Sequence, residues 1–219
     1  MYFMKEKSKS SVSIIGGADG PTSVFLVGRS GKRPLKERIR QYIYKYRRKR
    51  IEKRISAGTH TLEEVVSYAE CKYGAVEISR NQRRYLESYK NLRESLIIRN
   101  KPELLGELRD IQKLDTYNED TIKEMFCQIE LRSEVIANIS EHEMHMDFHI
   151  YEIKIEDGSM EIEIDYMWDV FGISYSGSKK IMKQFRKIAR DIYIYYGVTE
   201  EDIRDKSERY SSLLITLTS

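Results

Sequence analysis

The sequence has few of the residues that rigidly constrain a chain. Its 219 residues include only two cysteines, three prolines and one tryptophan. Cys71 and Cys127 stand alone, without the CxxC spacing of a zinc knuckle. The spacing therefore predicts neither a disulfide framework nor a structural zinc site, but two reduced thiols in the core.

Long hydrophobic runs are also missing. Mean hydropathy is -0.58, 33% of the residues are charged, and the most apolar stretch, residues 12–28, is interrupted by Asp19, Pro21 and glycines. A membrane-spanning helix needs about 20 apolar residues, and the N-terminal stretch is too broken for a signal peptide. We expect a cytoplasmic protein without a membrane span. No P-loop or dinucleotide fingerprint is present, so no cofactor is expected, and the oligomeric state stays open.

Residues 14–22 read Ile-Ile-Gly-Gly-Ala-Asp-Gly-Pro-Thr and lie between two apolar runs. Three glycines and a proline predict a tightly bent loop between two strands. Its successive N–H groups can form an anion nest, although a purely structural turn is the interpretation that the sequence favours. The candidate ligand residues are Gly16, Gly17, Asp19, Gly20 and Thr22.

Residues 14–26 resemble the signature loop of the beta subunits of sodium-translocating carboxylic-acid decarboxylases. The resemblance implies a role in sodium handling for Asp19. Such pumps need several apolar spans, which this sequence does not contain. The resemblance therefore bears on the shape of the loop.

Positive charge is concentrated in one segment. Residues 32–54 carry twelve Lys or Arg and two Glu, a local net charge of +10, which leaves −7 for the remainder of a chain with net charge +3. Apolar residues recur every three or four positions from Leu35 to Ile55, which is typical of an amphipathic helix. We expect this apolar side to pack on the protein while the cations point elsewhere. Those cations are Arg38, Arg40, Lys45, Arg47, Arg48, Lys49 and Arg54.

Three interpretations of this basic helix are open. Clustered cations neutralise phosphates, and the interleaved Tyr42, Tyr44 and Tyr46 offer rings on which bases can stack. The face is also compatible with simple solvation or with pairing to the acidic remainder of the chain. Basic amphipathic helices bind anionic membrane surfaces as well. The sequence favours nucleic acid.

Helical patterns continue through the first half. Thr61 and Glu64 form a capping-box pattern, Gly74 is suited to end that helix, and Ser79 with Gln82 repeats the capping pattern. The polar connector at residues 116–120 marks a predicted boundary. It separates a region 1–116, containing the Gly-rich loop and the basic helix, from an α+β domain 117–219.

In the second half the periodicity changes. After a helix over 121–139, alternation around Asp157-Gly158 predicts an antiparallel hairpin in which Ile153 faces Ile162. A bulge near Ile150 is expected, because the residues before it alternate in the opposite phase. A third strand over 168–175, a helix from Ser178 to about 196 and a strand over 212–218 complete an α+β fold with a hairpin-based sheet packed on helices. The strands near residues 12 and 24 are candidates to join this sheet.

The stretch Ser176-Gly177-Ser178-Lys179-Lys180-Ile181-Met182-Lys183 resembles the last strand-to-helix junction of double-stranded RNA-binding domains. In that family, lysines at the start of the helix contact phosphates. The resemblance implies this role for Lys179, Lys180 and Lys183.

A short segment is rich in His and carboxylates. His145, Asp147 and His149 share one face if the segment is extended, which makes them candidate metal ligands, with polar edge-strand residues as the alternative. Asp147 with Glu152 and Lys154 also has the residue types of a metal-dependent nuclease centre.

The patterns predict a non-catalytic binding protein for nucleic acid, RNA or DNA, or for a nucleoprotein complex. It would act as a regulator, an inhibitor or a structural component. The alternative is a small-ligand or metal-dependent protein, with a nucleotide or phosphate at the Gly16 to Thr22 loop or a nuclease-like metal site around Asp147 and Glu152.

Overall fold

A computed structural model describes residues 11–14, 24–27, 35–110 and 119–218. Helices with antiparallel sheets of two and four strands confirm the predicted α+β class. In chain order the elements are β1 (Ser11–Ile14), β2 (Val24–Val27), α1 (Leu35–Glu52), β3 (Gly58–Thr59), α2 (Leu62–Tyr73), β4 (Val76–Glu77), α3 (Arg83–Asn100), a 3-10 helix (Pro102–Arg109), α4 (Glu119–Asn138), β5 (Phe148–Ile155), β6 (Gly158–Asp165), β7 (Val170–Ser176), α5 (Lys179–Tyr196), β8 (Gly197–Val198), α6 (Glu200–Asp205) and α7 (Glu208–Thr218).

The chain forms two compact units. One contains α3, the 3-10 helix and α4, within residues 81–146; the other combines residues 33–80 with 147–219 and contains the four-stranded sheet. The predicted boundary at 116 lies outside the described residues and stays a prediction. Within the described residues, β1 and β2 pair with each other and do not join the larger sheet.

The larger sheet has the order β4-β5-β6-β7 and is antiparallel throughout. Its central hairpin is slid by two residues from the predicted register. Ile153 lies opposite Met160, and the turn is formed by Glu156 and Asp157. Gly158 belongs to β6, where an added Cβ would lie 2.5 Å from Cγ2 of Ile181. Close approach of α5, rather than the turn, requires this glycine.

The bulge predicted near Ile150 is wrong. Pairing of β5 with β6 is continuous from Phe148 to Ile155. Phe148, Ile150, Tyr151 and Ile153 are all buried, so this strand has apolar side chains on both faces. The change of phase in the sequence reflects burial of two faces and not an inserted residue.

The core of the sheet-containing unit is formed where α2 and α5 pack on the sheet. Apolar residues on α5 recur with helical spacing and are buried at Ile181, Phe185, Ala189 and Ile192. They pack with β5 and β6 residues and with Leu62, Val65, Val66 and Ala69 of α2. This packing turns the opposite, charged side of α5 toward solvent.

The helix boundaries follow the caps in one case and the sheet in another. Thr61 forms the predicted capping box, and Gly74 ends α2 at a φ of 67°, which confirms both signals. The cap predicted at Ser79 is wrong, because α3 begins only at Arg83. The N–H of Ile78 donates to the carbonyl of Ile150, so pairing of the β4 segment with β5 keeps the chain extended.

The strand predicted over 212–218 is wrong, because these residues belong to α7. Tyr210, Leu213 and Leu214 are buried and follow helical spacing. Burial of this apolar side outweighs the strand preference of the neighbouring isoleucine and threonines.

Helix α1 forms as predicted, but its expected packing is wrong over most of its length. None of its residues is buried, and its apolar and aromatic side chains from Leu35 to Tyr46 are 44 to 74% exposed. Only Ile51, and Ile55 just after the helix, pack against a second apolar cluster. That cluster contains Tyr193, Val198, Tyr210, Leu213 and Leu214. Helix α1 is therefore attached to the unit at its C-terminal end.

Two expectations from composition have different outcomes. Cys71 and Cys127 are free, but both are exposed, so their assignment to the core is wrong. In the part of the chain that the structure describes, no helix has the length and apolar character to cross a membrane.

Candidate functional site

A cationic groove of about 450 Å³ lies within the sheet-containing unit, beside the C-terminal end of α1. It is formed by α1 with the residues just after it, by the middle of α5 and by the last turn of α7. Of the ten described residues that line it, six are cations and none is a carboxylate. The lining residues are Arg47, Arg50, Ile51, Arg54, Arg186, Lys187, Arg190, Thr216, Leu217 and Thr218.

Helix α7 brings the two cationic segments together, because it contacts both α1 and α5. Ile51 and Leu217 pack on the second apolar cluster, the one that contains Tyr193 and Tyr210. Arg47, Arg50 and Arg54 are spaced by three and four residues, so they lie on one side of the chain that leaves α1. Packing of Ile51 on the apolar cluster thus holds this side of the chain, with its three arginines, at the groove.

The cations of α5 form a continuous stripe. Lys179, Lys183, Arg186 and Arg190 are spaced by four, three and four residues, which places them on one helix face. At 1.5 Å per residue this face is about 16 Å long. The stripe flanks the buried face that Phe185 and Ala189 contribute to the core.

The groove has an unbalanced positive charge. Among the described residues, none of its six cations forms an ion pair, whereas Arg48 nearby pairs its Nε with Oε1 of Glu52 at 3.1 Å. Like charges held this close repel each other, and a bound anion relieves that repulsion. The arrangement is therefore suited to bind phosphates or other anions.

The structure brings together only part of the predicted basic set. Arg47 and Arg54 line the groove, and Lys179 and Lys183 extend it along α5. Lys180 points away and pairs with Glu156 at 3.5 Å. The remaining predicted cations are exposed on α1 outside the groove: Arg38, Arg40, Lys45, Arg48 and Lys49.

Sequence reasoning missed Arg50, Arg186, Lys187 and Arg190. The spacing of four, three and four residues from Lys179 to Arg190 indicates a basic helix face. The resemblance to an RNA-binding helix covers only the first two of these cations, Lys179 and Lys183. The proximity of α1 to α5 had no signal, because more than 130 residues separate Arg54 from Arg186.

A smaller apolar pocket of about 270 Å³ adjoins the cationic groove. It lies between β7, α5 and α7, and Arg186 and Thr216 line both cavities. The other lining residues are Ile173, Tyr175, Ala189, Tyr193, Ser212 and Ile215. Ile215 is 60% exposed at this site. A charged surface and an apolar, aromatic recess thus share two residues.

The candidate metal residues are only partly brought together. His149 places Nδ1 2.6 Å from Oε1 of Glu77 and Nε2 3.0 Å from Oδ1 of Asp147, while His145 is exposed. Both ring nitrogens of His149 are thus engaged by carboxylates. No group of three or more His, Cys, Asp or Glu side chains within the described ranges is placed to hold a metal ion.

Of the nuclease-like residues, Glu152 and Lys154 pair with each other, and Asp147 has a different partner. Glu152 accepts from Ser159 at 2.8 Å and pairs with Lys154 at 3.2 Å, whereas Asp147 contacts His149. The third feature, the loop with Gly16, Gly17, Asp19, Gly20 and Thr22, lies outside the described residues. Its ligand role and its resemblance to the decarboxylase loop stay predictions.

Asp191 is the centre of a polar cluster that joins α5 to α2. Its Oδ2 accepts from the hydroxyls of Tyr68 and Tyr73 at 2.6 Å and from Lys72 Nζ at 2.7 Å. Partial burial of Asp191 raises its pKa, but the hydrogen bonds from Lys72 and the two tyrosines outweigh this and lower the pKa to about 2. The ionised carboxylate therefore stabilises the fold.

Asp191→Asn should lower the free energy of unfolding by about 1 kcal/mol at pH 7, because the side chain is 38% exposed and solvent screens the cluster. The native pKa is below the ordinary value of 3.8, so the contribution is present above that pH and is lost as the pH falls toward 2. Urea unfolding at pH 7 and pH 3 measures both effects. Asp157→Asn, in the exposed hairpin turn, is the control; equal losses in the two variants would contradict the assignment.

Comparisons with protein-family models, with curated proteins and with solved structures found no match for this chain.

Proposed function

We propose that this protein binds nucleic acid through the cationic groove formed by α1, α5 and α7. The supporting observation is that six cations, three at the end of α1 or just after it and three on α5, line one groove with no carboxylate among its described lining residues. A surface of this kind neutralises phosphates and releases their counterions, largely without regard to sequence. The protein would act as a non-catalytic binding component.

The size of the surface favours a polymer over a single small anion. The basic stripe of α5, which begins at Lys179 and includes the groove residues Arg186 and Arg190, is about 16 Å long. A stacked strand carries one phosphate per roughly 3.4 Å, so this length accommodates about five nucleotides. One phosphate ion would satisfy only a fraction of these cations.

The exposed part of α1 supports the same partner. Tyr42, Tyr44 and Tyr46 are exposed between arginines and lysines of this helix. Aromatic rings beside cations are the usual features of surfaces that bind unpaired bases together with their phosphates. An anionic membrane would use the cations but would not need the groove between α1 and α5.

The proposal predicts strong salt dependence. With about five phosphate contacts, binding of a fluorescein-labelled, mixed-sequence oligonucleotide of about 20 residues should weaken roughly 100-fold between 50 and 200 mM salt. Fluorescence anisotropy of the full chain with single-stranded and duplex DNA and RNA measures this. Anionic phosphatidylserine vesicles are tested alongside. Binding to the vesicles without binding to any oligonucleotide would overturn the proposal.

A further inference from the structure

The apolar pocket beside the groove indicates which form of nucleic acid is bound. Arg186 and Thr216 line both cavities, so a ligand whose charged part lies in the groove has its next group at the pocket. The pocket is lined by two tyrosines and two isoleucines, with Ser212 and Thr216 on its α7 side. An apolar planar group with polar edges fits this chemistry.

From this juxtaposition we infer that the protein binds single-stranded nucleic acid and holds one unpaired base in the pocket between β7, α5 and α7. The inference rests on the proposed function and narrows its ligand. The phosphates flanking that base lie on Arg186, Lys187 and Arg190. A base offers a flat apolar face to the partly exposed Tyr175 and to Ile215, and polar edges to Ser212 and to Thr216, whose hydroxyl donates to the carbonyl of Ser212 and is left to accept.

Duplex nucleic acid contacts the groove but does not fill the pocket. In a duplex the base faces are stacked and paired, so only phosphates, sugars and groove edges reach the protein. A duplex on the groove would leave the pocket unfilled, with Ile215 still exposed. The volume, about 270 Å³, is at the lower limit of small-molecule pockets and suits one base rather than a larger group.

Filling the pocket without changing charge tests the inference. Ser212→Phe places a ring in the pocket, and Ser67→Phe places the same ring on an exposed position of α2 in the same unit. Because stacking of one base contributes about tenfold or more in affinity, Ser212→Phe should weaken single-strand binding by about tenfold and leave duplex binding unchanged. Ser67→Phe should leave both unchanged. Parallel DNA and RNA strands show which sugar is preferred.

A second measurement needs no protein variant. The wild-type chain is titrated with a single strand of about six nucleotides and with the same strand lacking all of its bases, so that the phosphates are identical. The strand without bases should bind at least about tenfold more weakly, because no base is left to fill the pocket. Equal affinity for the two strands, or equal weakening of duplex and single strand by Ser212→Phe, would overturn the inference. Salt-dependent binding would then still support the proposed function, whereas no binding of any strand would contradict both.

Discussion

Reversing the charges of Arg186 and Arg190 together should weaken oligonucleotide binding by about 100-fold at 150 mM salt. Each reversal removes a phosphate contact and adds repulsion, which is roughly tenfold in affinity. Both residues line the groove, belong to the exposed side of α5 and form no ion pair among the described residues, so folding should be little affected. The slope of log affinity against log salt should become shallower by about 1.4.

Lys90→Glu/Lys123→Glu makes the same change of net charge on exposed positions of α3 and α4. This control should retain binding within about threefold, since neither residue lines the groove and solvent screens exposed charges. Anisotropy titrations measure the oligonucleotide affinity of both double variants, and thermal unfolding verifies that both are folded. If both variants lost affinity equally, net charge rather than the groove would govern binding.

Gly197→Ala should destabilise the protein strongly, with a loss of about 4 kcal/mol in the free energy of unfolding. Gly197 ends α5 at φ 65° and ψ −162°, a conformation essentially restricted to glycine. An added Cβ would lie 1.8 Å from the carbonyl oxygen of Gly58. Strain and the steric clash together account for the expected loss.

The same substitution should reduce nucleic-acid binding. Gly197 pairs with Thr59, which joins the chain leaving α1 to the end of α5. Arg209 reinforces this junction by donating to the carbonyl of Gly197 and to the hydroxyl of Thr59. Gly172→Ala is the matched control, because an added Cβ there meets nothing within 4 Å. A change above 1 kcal/mol in that control, or a stable Gly197→Ala protein, would contradict the explanation.

Local signals in the sequence predicted local structure where no tertiary contact competed with them. The capping box at Thr61 and the end of α2 at Gly74 depend on residues within one turn, and both are confirmed. Asp157-Gly158 predicted the hairpin but not its register, because Gly158 is needed under α5 and not in the turn. A glycine has several uses, and a single sequence does not tell which one applies.

The groove was only half predictable. Its α1 side follows from the density of cations around Arg47 and Arg54, and its α5 side from the spacing of Lys179, Lys183 and Arg186. The two sides meet because α7 contacts both α1 and α5. The β-branched composition of residues 212–218, which belong to α7, predicts a strand. Burial of Leu213 and Leu214 in the tertiary structure favours a helix instead. Local propensity does not show which residues become buried.

The division between an open cationic groove and a recessed apolar pocket has a kinetic consequence. The positive charge of the groove acts at a distance and would raise the association rate of a strand. This effect falls as the ionic strength rises. The pocket acts only after contact and would lengthen the residence time of the complex. Substitutions in the groove and in the pocket would thus change different rate constants, and a strand could slide along α5 until one of its bases is held.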